Sequence, residues 1–130
     1  MKEQSFLNRL KREGKLALVE PSPEICASYL KKAEDCLKSA SLLLNNDLFE
    51  NSISMSYYAM YNSLTALLFR VGIKCENHSG AIILLKLFGD LTLYKSISSA
   101  KKERIDKQYY IDFTATKEPA QQLLKKLRTP

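Results

Sequence analysis

The segment from Leu48 to Val71 constrains this chain most, because it is apolar on two sides of one helix. At about 100° per residue, Ile53, Tyr57, Met60, Tyr61, Leu64, Leu67, Leu68 and Val71 fall on one side. Met55, Tyr58, Ala66 and Phe69 fall on the opposite side, and Ser52, Ser56, Ser63 and Arg70 share the polar strip that remains. A helix apolar on two sides is buried on two sides. It therefore sits at the centre of a helical bundle, or its second side is a subunit interface.

The flanking sequence supplies its neighbours. Ser22-Pro23 is a helix start, with Ser at the cap and Pro in the first turn. A first long helix is expected from Pro23 to Leu44, with Cys26, Tyr29, Leu30, Ala33, Leu37, Ala40 and Leu44 as one stripe. Asn45-Asn46-Asp47 ends it and links it to the central helix, so the two form an antiparallel hairpin of helices roughly 30–36 Å long. After Gly72, the span from Ile73 to Asn77 reads as a loop. Asn77 or Ser79 caps a third helix over Ala81 to Phe88, and Gly89-Asp90 breaks it. A fourth follows from Leu93 to Tyr110, with Leu93, Tyr94, Ile97, Ala100, Lys101, Arg104 and Gln108 in its stripe. Thr116 caps a last helix over Lys117 to Leu127. Residues 1–22 read as an N-terminal arm or short helix, interrupted at Gly14, and 23–130 as the helical domain. The expected fold is all-α: an antiparallel up-and-down bundle of four to five helices.

Composition narrows the function classes. No apolar run reaches the ~18 residues of a membrane span, and no leader sequence opens the chain, so a cytoplasmic protein with no membrane partner is expected. Cys26, Cys36 and Cys75 lack metal-ligand spacing and read as reduced thiols. No metal site, cofactor motif, phosphate loop or hydrolase triad is present in the sequence, so none is assigned. The net charge of +6 is uneven: residues 91–130 carry 9 basic and 4 acidic side chains. Such an excess either attracts nucleic-acid phosphates or serves only solubility.

Two residues stand out of place. Arg104 lies where an aliphatic residue is expected, so it is either ion-paired with Glu34, Asp35, Glu50 or Asp112, or it awaits a phosphate in a groove. His78, the one histidine, either satisfies a backbone group at a helix start or handles a proton or phosphate. Tyr57, Tyr58 and Tyr61 are either core or a stacking surface.

The run Ser56-Tyr57-Tyr58-Ala59-Met60-Tyr61, then Ala66-Leu67-Leu68, Gly72 and His78-Ser79-Gly80, resembles the HEPN family (higher eukaryotes and prokaryotes nucleotide-binding), most closely its small stand-alone prokaryotic members. Tyr29 to Glu34 upstream, and Lys102-Glu103-Arg104 with Tyr109-Tyr110 downstream, are similar to its first and fourth helices. The resemblance implies a homodimer with one of three roles. These are nucleotide binding, partnership with a separately encoded minimal nucleotidyltransferase in a toxin–antitoxin pair, and metal-independent RNA cleavage. Cleaving members carry R-x(4–6)-H, whereas here Tyr109, Tyr110 or Ile111 stands where that His would follow Arg104. Seven residues separate Arg70 from His78, outside the motif. Binding is therefore expected over cleavage, with no catalytic residue assigned. The expected phosphate or nucleotide residues are His78, Arg104, Lys101 and Arg70. Tyr109, Tyr110 and Tyr58 are the expected stacking residues or, by the resemblance, targets of tyrosine modification. The alternatives are a degenerate ribonuclease and a non-catalytic protein-interaction module using the second side of the central helix.

Overall fold

The computed structural model describes the backbone of residues 2–87 and 91–109, and side chains over 2–87 and 94–104. Its elements in order are α1 (Lys2–Arg12), β1 (Leu16–Leu18), α2 (Pro23–Asn45), α3 (Phe49–Arg70), β2 (Ile73–Cys75), α4 (His78–Leu87) and α5 (Leu91–Tyr109). The described chain is a helical bundle, as the periodicity predicts. The expected cap at Thr116 and helix over Lys117 to Leu127, the break at Gly89-Asp90, Phe88, Ile111 and Asp112 lie outside the described residues.

Local chemistry sets the helix ends. Ser22 is extended, and its Oγ accepts a hydrogen bond from the Ile25 amide at 3.1 Å, with Pro23 in the first turn of α2. At the far end Asp47 takes φ 61°, and the chain reverses there into α3.

α3 runs back along α2 and also touches α4, α5 and β2. Both of its apolar sides are covered in part within the chain. On one side Ile53 and Tyr57 are fully buried, joined by Leu64 and Leu68. On the other, Ala66 is buried and Phe69 stacks on Tyr29 of α2, ring centroids 5.7 Å apart. Central burial is thus the position this helix has in the monomer.

The structure corrects the expected faces in two places. Ser52 and Ser56 are not on a polar surface; both are fully buried. Their small side chains let α2 approach closely, and the Ser52 hydroxyl donates to the Ala40 carbonyl of α2 at 2.8 Å. Conversely Leu30, Leu67 and Val71 are half exposed, because the stripe covered by the neighbouring helices is narrower than the apolar pattern.

The segment expected as a loop after Gly72 contains a strand. β2 pairs antiparallel with β1 in the register Leu16↔Cys75, Ala17↔Lys74, Leu18↔Ile73. Gly72 makes the turn possible, with φ 85° and a Cβ there falling 2.6 Å from the Val19 carbonyl oxygen. α1 precedes this ladder and buries Leu7 and Leu10. No helix among the described residues is long and apolar enough to cross a membrane.

Candidate functional site

The start of α4 is held from three directions. The Asn77 side-chain oxygen accepts from the Gly80 amide at 2.8 Å, capping the helix. Leu10 of α1 closes over Gly80, where an added Cβ would meet its methyl at 2.5 Å. The β-ladder ends immediately before, the Glu76 amide donating to the Lys15 carbonyl at 2.8 Å. His78, the first residue of α4, is thereby delivered onto the buried face of α3.

Two tyrosines one turn apart on α3 receive it. The Tyr61 ring stacks on the imidazole with centroids 3.8 Å apart and planes 13° apart. The Tyr57 hydroxyl and His78 Nδ1 share a hydrogen bond of 2.8 Å. Burial pushes the Tyr57 phenol up to about 12, against the opposing pull of Arg104, so it keeps its proton at neutral pH.

α5 brings the cations. Ile97 and Ala100 fill the core-facing stripe. Lys101 and Arg104 continue it one turn apart. The Arg104 guanidinium lies over Tyr57, 5.1 Å from the ring centroid, and over Tyr58 at 5.5 Å. Lys101 Nζ donates to Ser79 Oγ at 2.8 Å. Burial first, then Lys101 and Arg104, lower the His78 pKa below its ordinary 6.5. Lys101 is lowered in turn, by burial and then by Arg104. His78, Lys101 and Arg104 thus form a partly buried cationic cluster, a local positive potential of the kind that attracts an anion.

Of the residues singled out in the sequence, His78, Lys101, Arg104 and Tyr58 come together. Arg70 does not join them: it is exposed at the end of α3, nine residues past Tyr61 and so about 13 Å further along the axis. The Tyr109 side chain and all of Tyr110 lie outside the described residues. Sequence reasoning missed Tyr57 and Tyr61 as the partners of His78, and Ser79 as the partner of Lys101. The i,i+4 spacing of the two tyrosines was visible, but not that the loop after α3 folds back on them. Among the described residues no three His, Cys, Asp or Glu side chains are grouped to hold a metal ion, and the three cysteines are free.

Fold and site together define a predominantly helical bundle protein whose cationic cluster is built on a tyrosine-rich central helix. The HEPN domain family matches residues 27–129, and the chain belongs to that family. It is 42% identical over 67 residues to a UPF0332 protein of Pyrococcus horikoshii, covering 52% of this chain and 45% of that one. A UPF0332 protein of Thermotoga maritima is 32% identical over 59 residues, 45% of each chain. A protein named "Putative toxin" of Methanocaldococcus jannaschii is 30% identical over 106 residues, covering 75% of this chain and 70% of its own. The chain thus spans about half the length of the two UPF0332 relatives and more of the third.

Proposed function

We propose that this HEPN protein binds the phosphate of a nucleotide or RNA at His78, Lys101 and Arg104. It does so as a homodimer and as the partner of a separately encoded minimal nucleotidyltransferase, in the manner of a toxin–antitoxin pair. The observation that carries the reading is the convergence of Lys101 and Arg104 of α5 on the start of α4, Lys101 on Ser79 and Arg104 over the tyrosine that bonds His78. Arg104 offers a planar fork to phosphate oxygens, and Lys101 with Ser79 Oγ adds two further groups that phosphate can bond. With Nδ1 accepting from Tyr57, the imidazole carries its proton on Nε2 and donates from there. The toxin name of a relative supports the toxin–antitoxin part of the reading. Titration of labelled ATP and RNA at low salt, with sedimentation of the same samples, tests the reading. Saturable binding by a dimer that weakens at least tenfold in Arg104→Ala is expected, consistent with one charge-assisted pair. Binding unchanged by Arg104→Ala overturns it.

One geometric fact favours a second reading, cleavage of RNA without a metal. His78 and Arg104 engage the same Tyr57 ring system, so a phosphate on the arginine would lie close to the imidazole. In the other tautomer Nδ1–H donates to the Tyr57 oxygen, and Nε2 can take the proton of a ribose 2′-hydroxyl as that oxygen attacks phosphorus. Arg104 and Lys101 would stabilise the added charge while the P–O5′ bond breaks and the 5′-oxygen takes a proton from water, the imidazolium then giving its own proton back to solvent. RNA left intact by wild-type protein after long incubation excludes this reading. Fragments ending in 2′,3′-cyclic phosphate, absent with His78→Ala, establish it.

A further inference from the structure

α1 presents a face that the cluster above does not use. Lys2, Ser5, Phe6, Arg9 and Arg12 recur at intervals of three and four and line one surface depression of about 680 Å³. Every charged group in that lining is a cation. The Arg9 guanidinium lies 5.1 Å from the Phe6 ring centroid, so charge and aromatic surface are adjacent. The acids nearby are engaged elsewhere or weakly. Glu3 is held by Lys86 at 3.2 Å. Glu13 is shared between Arg9 at 3.7 Å and Lys15 at 3.5 Å, in exposed pairs that a polyanion displaces at little cost.

The position of this face gives it meaning. α1 lies antiparallel along α4: Leu10 packs on Gly80 near the start of α4, and Glu3 reaches Lys86 near its end. The Arg9–Arg12 end of the basic face is therefore at the same end of α4 as His78 and Ser79. All of α1 precedes residues 27–129, the part that matches the family.

We propose that this face of α1 binds single-stranded nucleic acid, with Lys2, Arg9 and Arg12 on successive phosphates and Phe6 beneath an unpaired base. The proposal rests on the reading of His78, Lys101 and Arg104 as a phosphate site, to which it adds a second contact surface. The substrate class becomes an oligonucleotide rather than a mononucleotide. A single strand fits better than a duplex because Phe6 offers a stacking surface among the cations, and only unpaired bases can use it.

The test compares labelled ATP, a trinucleotide and a twenty-nucleotide oligouridine on the full chain, over a salt series. The long strand is expected to bind more tightly than the trinucleotide. Lys2→Ala with Arg12→Ala should weaken the long strand about tenfold and lower its salt slope by about 1.4, two phosphate contacts' worth for a single strand. Phe6→Ala should weaken it several-fold with the slope unchanged. ATP binding should be the same in all of these variants, and circular dichroism confirms that they remain helical. Equal affinity for the trinucleotide and the long strand, or full affinity in the Lys2/Arg12 variant, overturns the proposal. So does binding to phosphatidylserine vesicles with none to oligouridine. If ATP fails to bind while the long strand still depends on Lys2 and Arg12, the reading of the cluster falls and the α1 surface stands.

Discussion

His78 is the only histidine in the chain, so its titration can be followed by NMR without assignment ambiguity. In the folded protein it should titrate below 6.5, and Lys101→Ala should move it back toward that value by removing a like charge. An unchanged titration would mean that Lys101 does not reach it. The sign for stability follows from the same shift. The unfolded chain binds the proton more readily than the native one, so this group's contribution falls as pH drops below 6.5 and is fully lost below the native pKa. A bound phosphate reverses the preference, so anion affinity should rise over that same acid range. At this scale the sequence was informative where a residue stood out of place. A lone histidine and an arginine in an apolar stripe could be picked out by eye. Tyr57 read only as core or stacking surface: its hydroxyl meets His78 at 2.8 Å and its ring lies under Arg104, contacts that join residues 21 and 47 positions away.

The long helices were legible because about six turns of period repeat the same signal, and caps such as Ser22 mark their ends. β1 and β2 were not, since three residues each carry no readable period and their pairing joins residues 55 to 59 positions apart. The turn into β2 can be probed through its glycine. Gly72→Ala meets both a positive φ and the Val19 carbonyl, so a loss of about 1–3 kcal/mol is expected in urea denaturation. Gly14→Ala also has a positive φ, 73°, but nothing within 4 Å of the added Cβ, and should cost less. Equal losses would mean that backbone strain alone, and not the contact with Val19, sets the cost.

For the molecule as a whole, the double-sided pattern of α3 left two architectures open, and α2, α4 and α5 pack around it within the chain while Leu67 and Val71 stay half exposed. The contrast between its covered and uncovered positions is measurable. Ile53→Ala, at a fully buried site, should cost about 2–5 kcal/mol. Leu67→Ala, at a site 41% exposed, should cost about 1 kcal/mol or less by chemical denaturation. Comparable losses would place Leu67 in an interface that the isolated chain does not show. The overall bundle was thus readable from pattern alone. Which apolar residues the neighbours reach was not, because that depends on the narrow contact stripe between helices: Leu30 is left half exposed while Ser52 and Ser56 are enclosed.

The β1–β2 ladder has a consequence for how the chain can be trimmed. Strand β1 and helix α1 both precede residue 27, where the family match begins, yet they clamp the turn and first residues of α4 that present His78. A shortened protein cut to the matched region would keep its long helices and lose the clamp. Amide hydrogen exchange should then quicken around residues 73–80 while the middle of α3 stays protected, a local opening confined to the doorway of the cluster.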